Sequence, residues 1–98
     1  MAALIAQVIV DARNEPCPKP ILMAKRAIDK AQMDEVIEIV VNDHNAKENV
    51  LKYCWNHGQE VVRSWDEEAD FHVVVKKSPE KLAEKPMPAI GPCGQRWD

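Results

Sequence analysis

The sequence predicts an α/β (α+β) fold: a two-layer sandwich in the order β-α-β-α-β-β, a mixed four-stranded sheet with two helices on one face. Three observations lead there. Short β-branched runs alternate with stretches of helical periodicity through residue 77 of a 98-residue chain, a length that suits one domain. The strand–helix–strand units point to parallel pairing through right-handed crossovers. The last two β-rich runs sit close enough to form a hairpin, and placing both helices on one side of the sheet buries their apolar faces.

The elements follow in order. Residues 5–12, "IAQVIVDA", read as a buried strand. "RNEPCPKP" is a tight connection. From Pro18 onward Ile21, Ala24, Ile28 and Ala31 recur at helical spacing, and this helix should end near Gln32 or Met33. "EVIEIVV" (35–41) is a second strand. Asn42 or Asp43 then offers an N-cap to a helix carrying Ala46, Val50, Tyr53, Cys54 and His57 on one face. Gly58 stands where a C-terminal glycine belongs. "EVVRSW" (60–65) and "FHVVVKK" (71–77) are strands joined by the acidic turn "DEEAD". Residues 1–77 therefore form the domain. Residues 78–98 hold four of the seven prolines and two of the three glycines, and read as an extended, flexible C-terminal tail.

Composition excludes several roles. The net charge of −3 and 5% aromatic content argue against direct nucleic-acid binding. No apolar run reaches the ~18–20 residues that span a bilayer, and the start lacks a basic leader region. A cytoplasmic protein without membrane contact, acting as a monomer, is expected. Three cysteines, Cys17, Cys54 and Cys93, with no C-x-x-C pair fit neither a disulfide framework nor a zinc knuckle.

The motif that carries chemistry is "NEPCPKP", residues 14–20. Pro18 suits the first helical position, where its missing N–H costs nothing. Cys17 then falls at the N-cap and faces the positive end of the helix dipole, which favours a thiolate. Pro20 removes another donor from the first turn, and Pro16 keeps the preceding chain extended. Arg13 and Lys19 bring positive charge nearby. The arrangement favours a pre-positioned, exposed, nucleophilic sulfur.

"VDARNEPCPKPILMAKRAI" resembles the opening of the TusA/SirA-like sulfur-carrier (sulfurtransferase) family, marked by Cys-Pro-x-Pro at the start of the first helix. The resemblance continues through "EVIEIVVNDHNAKENVLKYCWNHGQEVV" and covers about residues 7–77. It implies that Cys17 accepts sulfane sulfur as a persulfide and relays it, with Pro18 and Pro20 as frame and no separate cofactor. It also implies a cysteine desulfurase or rhodanese-like donor. The downstream acceptor protein would serve tRNA thiolation, molybdenum cofactor synthesis or sulfur oxidation. The family carries glycine where Asn14 stands, and asparagine also tolerates left-handed geometry. Its Asp-Pro turn is Asp43-His44 here, and a later acid of its second helix is Asn49.

Other residues carry weaker signals. Lys19, Met23, Arg26 and Lys30 form one stripe on the first helix, either a solvated face or a docking surface for an acidic partner. Cys54 reads as a buried small hydrophobe and His57 as a packed or capping histidine. Trp55 suits a partly exposed contact, and Trp65 suits packing. Cys93 in the tail is a possible second thiol. Two alternatives to a carrier therefore remain: a thiol redox regulator using Cys17 and Cys93, and a non-catalytic interaction module.

Overall fold

The computed structural model describes residues 7–16 and 19–87. Its elements are β1 (Val8–Asp11), α1 (Lys19–Lys30), β2 (Val36–Val41), α2 (His44–Asn56), β3 (Glu60–Glu67) and β4 (Asp70–Lys76). This is the order that periodicity predicts. The sheet runs β1-β2-β4-β3. β1 and β2 pair in parallel, from Val8 opposite Ile37 to Asp11 opposite Val40, with α1 as the crossover.

Two expectations change. The second strand–helix–strand unit does not give neighbouring parallel strands, because β4 lies between β2 and β3, antiparallel to both. The reason is burial. Val73, Val74 and Val75 make β4 apolar on both faces, and all three are buried. β3 carries Glu60, Arg63, Asp66 and Glu67 on exposed positions, a composition suited to an edge. Nor is β1 a buried strand. It pairs only with β2, and Val8 and Ile9 remain 36% and 67% exposed.

One core lies between sheet and helices. Ile21, Ala24 and Ile28 of α1 and Ala46, Val50, Tyr53 and Cys54 of α2 cover Ile37, Ile39 and Val41 of β2 and Val73 and Val75 of β4. Each large aliphatic side chain so buried contributes about 1.5–3 kcal/mol relative to exposure. On the opposite face of the sheet, Val36, Val40 and Val74 sit in register beside Lys76, His72 and Arg63, whose longer side chains flank them.

The helix ends explain themselves locally. Asp43 has extended dihedrals (φ −130°, ψ 132°) and accepts from the Ala46 N–H at 3.0 Å, a cap worth about 1 kcal/mol. After the C-cap His57 comes Gly58, at φ +70°. A Cβ there would lie 2.9 Å from both Cβ and O of Lys81.

That close approach marks a strap. Residues 78–87 form neither helix nor strand, yet two side-chain amides grip them. Gln59 accepts from the Ser78 N–H and donates to the Ser78 carbonyl, both at 2.9 Å. Asn56 does the same for Met87, at 2.8 and 2.9 Å. Between these grips, Lys81 N–H donates to His57 O and Ala83 N–H to Asn56 O. Asn56 and Gln59 are 7% exposed, so these contacts also satisfy amides cut off from water. Composition suggests a flexible tail; over 78–87 the chain is anchored to the end of α2. Cys93 and Trp97 lie outside the described residues.

Candidate functional site

The motif connects β1 to α1, and its backbone donors show how it is held. Ala12 N–H extends the β1–β2 ladder by donating to Val40 O at 2.8 Å. Arg13 N–H donates to the Asp11 carboxylate at 3.2 Å. Asn14 N–H donates to Asn42 Oδ1 at 2.9 Å, and Asn42 Nδ2 returns a bond to Asn14 Oδ1 at 2.8 Å. Asn14 is left-handed, at φ 64°, as the substitution for a glycine suggests. Lys19 N–H donates to Pro16 O at 2.7 Å, drawing together the residues that flank Cys17 and Pro18. Cys17 and Pro18 themselves lie outside the described residues. The described part of α1 runs from Lys19 to Lys30, so the expected placing of Pro18 at the first helical position and Cys17 at the N-cap falls outside the described residues. Pro20 is fully buried in the first turn.

The expected positive charge is unevenly available. Arg13 forks onto Asp11 through Nε and Nη2, both at 2.9 Å, and reaches Asp70 through Nη1 at 3.1 Å. The Arg13 hydrogen bonds hold Asp11 down at about 2, and the Asp11 and Asp70 carboxylates push Arg13 up. This guanidinium is therefore occupied by carboxylates. Lys19 is exposed.

Two grooves adjoin α1. One, of about 380 Å³, lies between α1 and β1 and is lined by Val8, Val10, Met23, Arg26, Ala27 and Lys30, among others. It gathers three of the four stripe residues, with Lys19 at the N-terminal end of the helix. Three other lysines are paired: Lys25 with Asp29, Lys47 with Asp66, Lys76 with Asp34. Among the described residues no carboxylate pairs with Lys19, Arg26 or Lys30. The other groove borders the motif and is lined by Asn14, Glu15, Pro16, Pro20, Asn42 and Asp43, with Asn45 and Ala46 beyond. Asn42 is the site residue that sequence reasoning misses. It was visible only as a possible cap, a role that Asp43 takes.

The remaining candidates separate cleanly. Cys54 has no exposure, and burial pushes its thiol up to about 12. His57 caps α2, stacks on Tyr53 at 4.3 Å and meets Glu80 at 3.1 Å. Trp55 is 59% exposed. Trp65 stacks on His72 at 4.6 Å, and His72 faces Glu38 at 2.7 Å and Glu67 at 3.3 Å, tying β3 to the sheet. Among the described residues no group of three or more His, Cys, Asp or Glu is placed to hold a metal, and no helix is long and apolar enough to cross a membrane.

A four-stranded mixed sheet under two helices, with a Cys-Pro-x-Pro motif joining first strand to first helix, defines a SirA-like α+β domain. The crystal structure of a SirA-like protein from Desulfitobacterium hafniense shares the fold, with a TM-score of 0.65 at 19% identity, covering 71% of this chain and 96% of that one. The chain belongs to the family described as Sulfurtransferase TusA, which matches residues 8–77. It is similar to a protein of Methanocaldococcus jannaschii named as a candidate sulfur carrier, 32% identical over 76% of this chain and 99% of the relative. It is also similar to the sulfur carrier protein TusA of Allochromatium vinosum, 29% identical over 70% of this chain and 91% of that protein.

Proposed function

We propose that the chain is a sulfur carrier in which Cys17 holds a sulfane sulfur as a persulfide and passes it to a second protein. The observation that carries this reading is the family match over all six elements, combined with the Cys-Pro-x-Pro motif between β1 and α1. The chemistry is two thiol exchanges. The Cys17 thiolate attacks the outer sulfur of a donor persulfide, R–S–SH. The new S–S bond forms as the old one breaks, leaving Cys17–S–SH and R–S⁻. An acceptor thiolate then attacks the outer sulfur, and Cys17 leaves as thiolate. Sulfane sulfur moves without net oxidation, and the exchange as written needs no cofactor.

The donor on this reading is a cysteine desulfurase or rhodanese-like protein, met in the cytoplasm. The acceptor belongs to a thiolation, molybdenum cofactor or sulfur-oxidising route. Arg26 and Lys30 in the apolar α1–β1 groove, with Lys19 at the N-terminal end of the helix, pair with no carboxylate among the described residues and support docking of an acidic surface.

Intact-protein mass spectrometry after incubation with polysulfide, or with a desulfurase and cysteine, tests the reading. The expected result is a gain of sulfur atoms that reductant removes and that Cys17→Ser lacks. No gain, or a gain unchanged in Cys17→Ser, overturns it.

A further inference from the structure

Residues 14–20 contain three prolines, so three of seven positions have no N–H with which to fasten the motif to the domain. Past Ala12, the bonds of this connection made by Arg13, to Asp11, and by Lys19, to Pro16, are local. Arg13 also reaches Asp70, but through an exposed side chain that leaves the backbone beyond it free to turn. The reciprocal pair between Asn14 and Asn42 is different. It spans 28 residues and ties the loop backbone to the end of β2. It also satisfies the N–H of a residue at φ 64°, a conformation that asparagine reaches more easily than most residues but still above the ordinary regions. The neighbouring Asp43 caps α2. Adjacent side chains thus bind the motif loop and the start of α2 to one point.

We propose that Asn42 is a positioning residue for sulfur transfer: by holding Asn14 left-handed, it fixes the direction in which the chain approaches Pro16, the residue before Cys17 in sequence. The proposal rests on the reading of Cys17 as the sulfur-bearing residue. The favourable field of a helix N-terminus fades within one turn. With Cys17 placed at the start of α1, as the sequence predicts, a loop free to swing would give up thiolate stabilisation without unfolding the domain.

The test measures iodoacetamide alkylation of Cys17 against pH in a Cys93→Ser background, read by peptide mass spectrometry beside a thermal melt. Asn42→Ala removes both bonds. Its reaction at pH 7 is expected to slow about three- to tenfold, the range that one or two such hydrogen bonds carry, with the profile displaced to higher pH and the melt nearly unchanged. Asn14→Gly keeps the backbone N–H bond to Asn42 and tolerates φ 64°, so it should stay close to the parent. This second variant answers the question if Asn42→Ala fails to fold: a profile for Asn14→Gly displaced as far as full loss predicts overturns the proposal. An Asn42→Ala profile superimposable on the parent overturns it too. Alkylation does not require sulfur carriage, so absence of persulfide on the parent protein would sink the proposed function and leave this result readable.

Discussion

Replacing Gly58 tests whether the strap truly closes over the end of α2. Two costs arise there, and they can be separated. At φ +70° an alanine pays for a left-handed backbone, about 1–2 kcal/mol. Its Cβ would also stand 2.9 Å from Lys81 Cβ and O. Backbone cannot rotate away as a side-chain tip can, so the strap must shift and weaken the bonds from Lys81 to His57 O and from Ala83 to Asn56 O. Losing one to two such bonds adds about 1–2 kcal/mol. Gly58→Ala should therefore cost about 2–4 kcal/mol, a fall in Tm of roughly 10–25 °C for a domain of this size. Gly58→Asn keeps the Cβ but relieves most of the backbone cost, so it should cost about 1–2 kcal/mol from the strap alone. Urea denaturation of the three proteins gives both numbers. A Gly58→Asn protein as stable as the parent would refute the reasoning, because it would mean that nothing is packed against that position.

Asp11 is held at about 2 by Arg13, below its unfolded value near 3.9; its stabilising effect is present above pH 4 and is lost as pH falls through about 2. Arg13→Ala should return the Asp11 carboxyl to an ordinary titration by NMR and flatten that part of the acid limb. Cys54, raised to about 12 against an unfolded thiol near 9, contributes stability below pH 9 that is lost as pH rises towards 12. Folded protein at pH 8 should leave Cys54 unalkylated, and Cys54→Ser should destabilise by about 1–3 kcal/mol through a buried hydroxyl, measured by denaturation. Arg26→Glu with Lys30→Glu should slow sulfur uptake from a protein donor and reduce its salt dependence while leaving uptake from polysulfide unchanged; equal effects on both donors would remove the docking role of the stripe.

What could be read beforehand depended on how local the signal was. The α1 face is legible because Ile21, Ala24 and Ile28 repeat at helical spacing, and all three are buried. Gly58 is legible because a helix end asks for a left-handed residue within its own turn. The place of β4 is not, since hairpin and crossover rules leave its insertion between β2 and β3 open; only the comparison of its all-valine centre with the charged β3 decides it. The side-chain amides are least legible. Asn42 pairs across 28 residues, Asn56 across 31 and Gln59 across 19. Nothing in their neighbours announces it, and polar residues near helix ends are ordinarily taken as caps or solvated surface.

The burial of Cys54 bears on how a domain with more than one thiol stays selective. A thiol near 12 is ionised to the order of one part in 10⁵ at pH 7, against a few per cent for an unperturbed one. Thiolate is the attacking species, so its small ionised fraction disfavours Cys54 as a nucleophile, an effect that the greater intrinsic nucleophilicity of a high-pKa thiolate offsets only in part, before its lack of access is counted. On the proposed reading, exchange within the segment matched to the family is thereby confined to Cys17. The strap lies at the same end of α2: Cys54 and Lys81 line one groove there, and Gln59, whose N–H donates to Cys54 O, also grips Ser78. Loosening the strap through Asn56→Ala should then bring Cys54 into slow reaction with iodoacetamide while Cys17 keeps its rate. Equal protection of Cys54 in that variant would show that the helix–sheet core alone hides it.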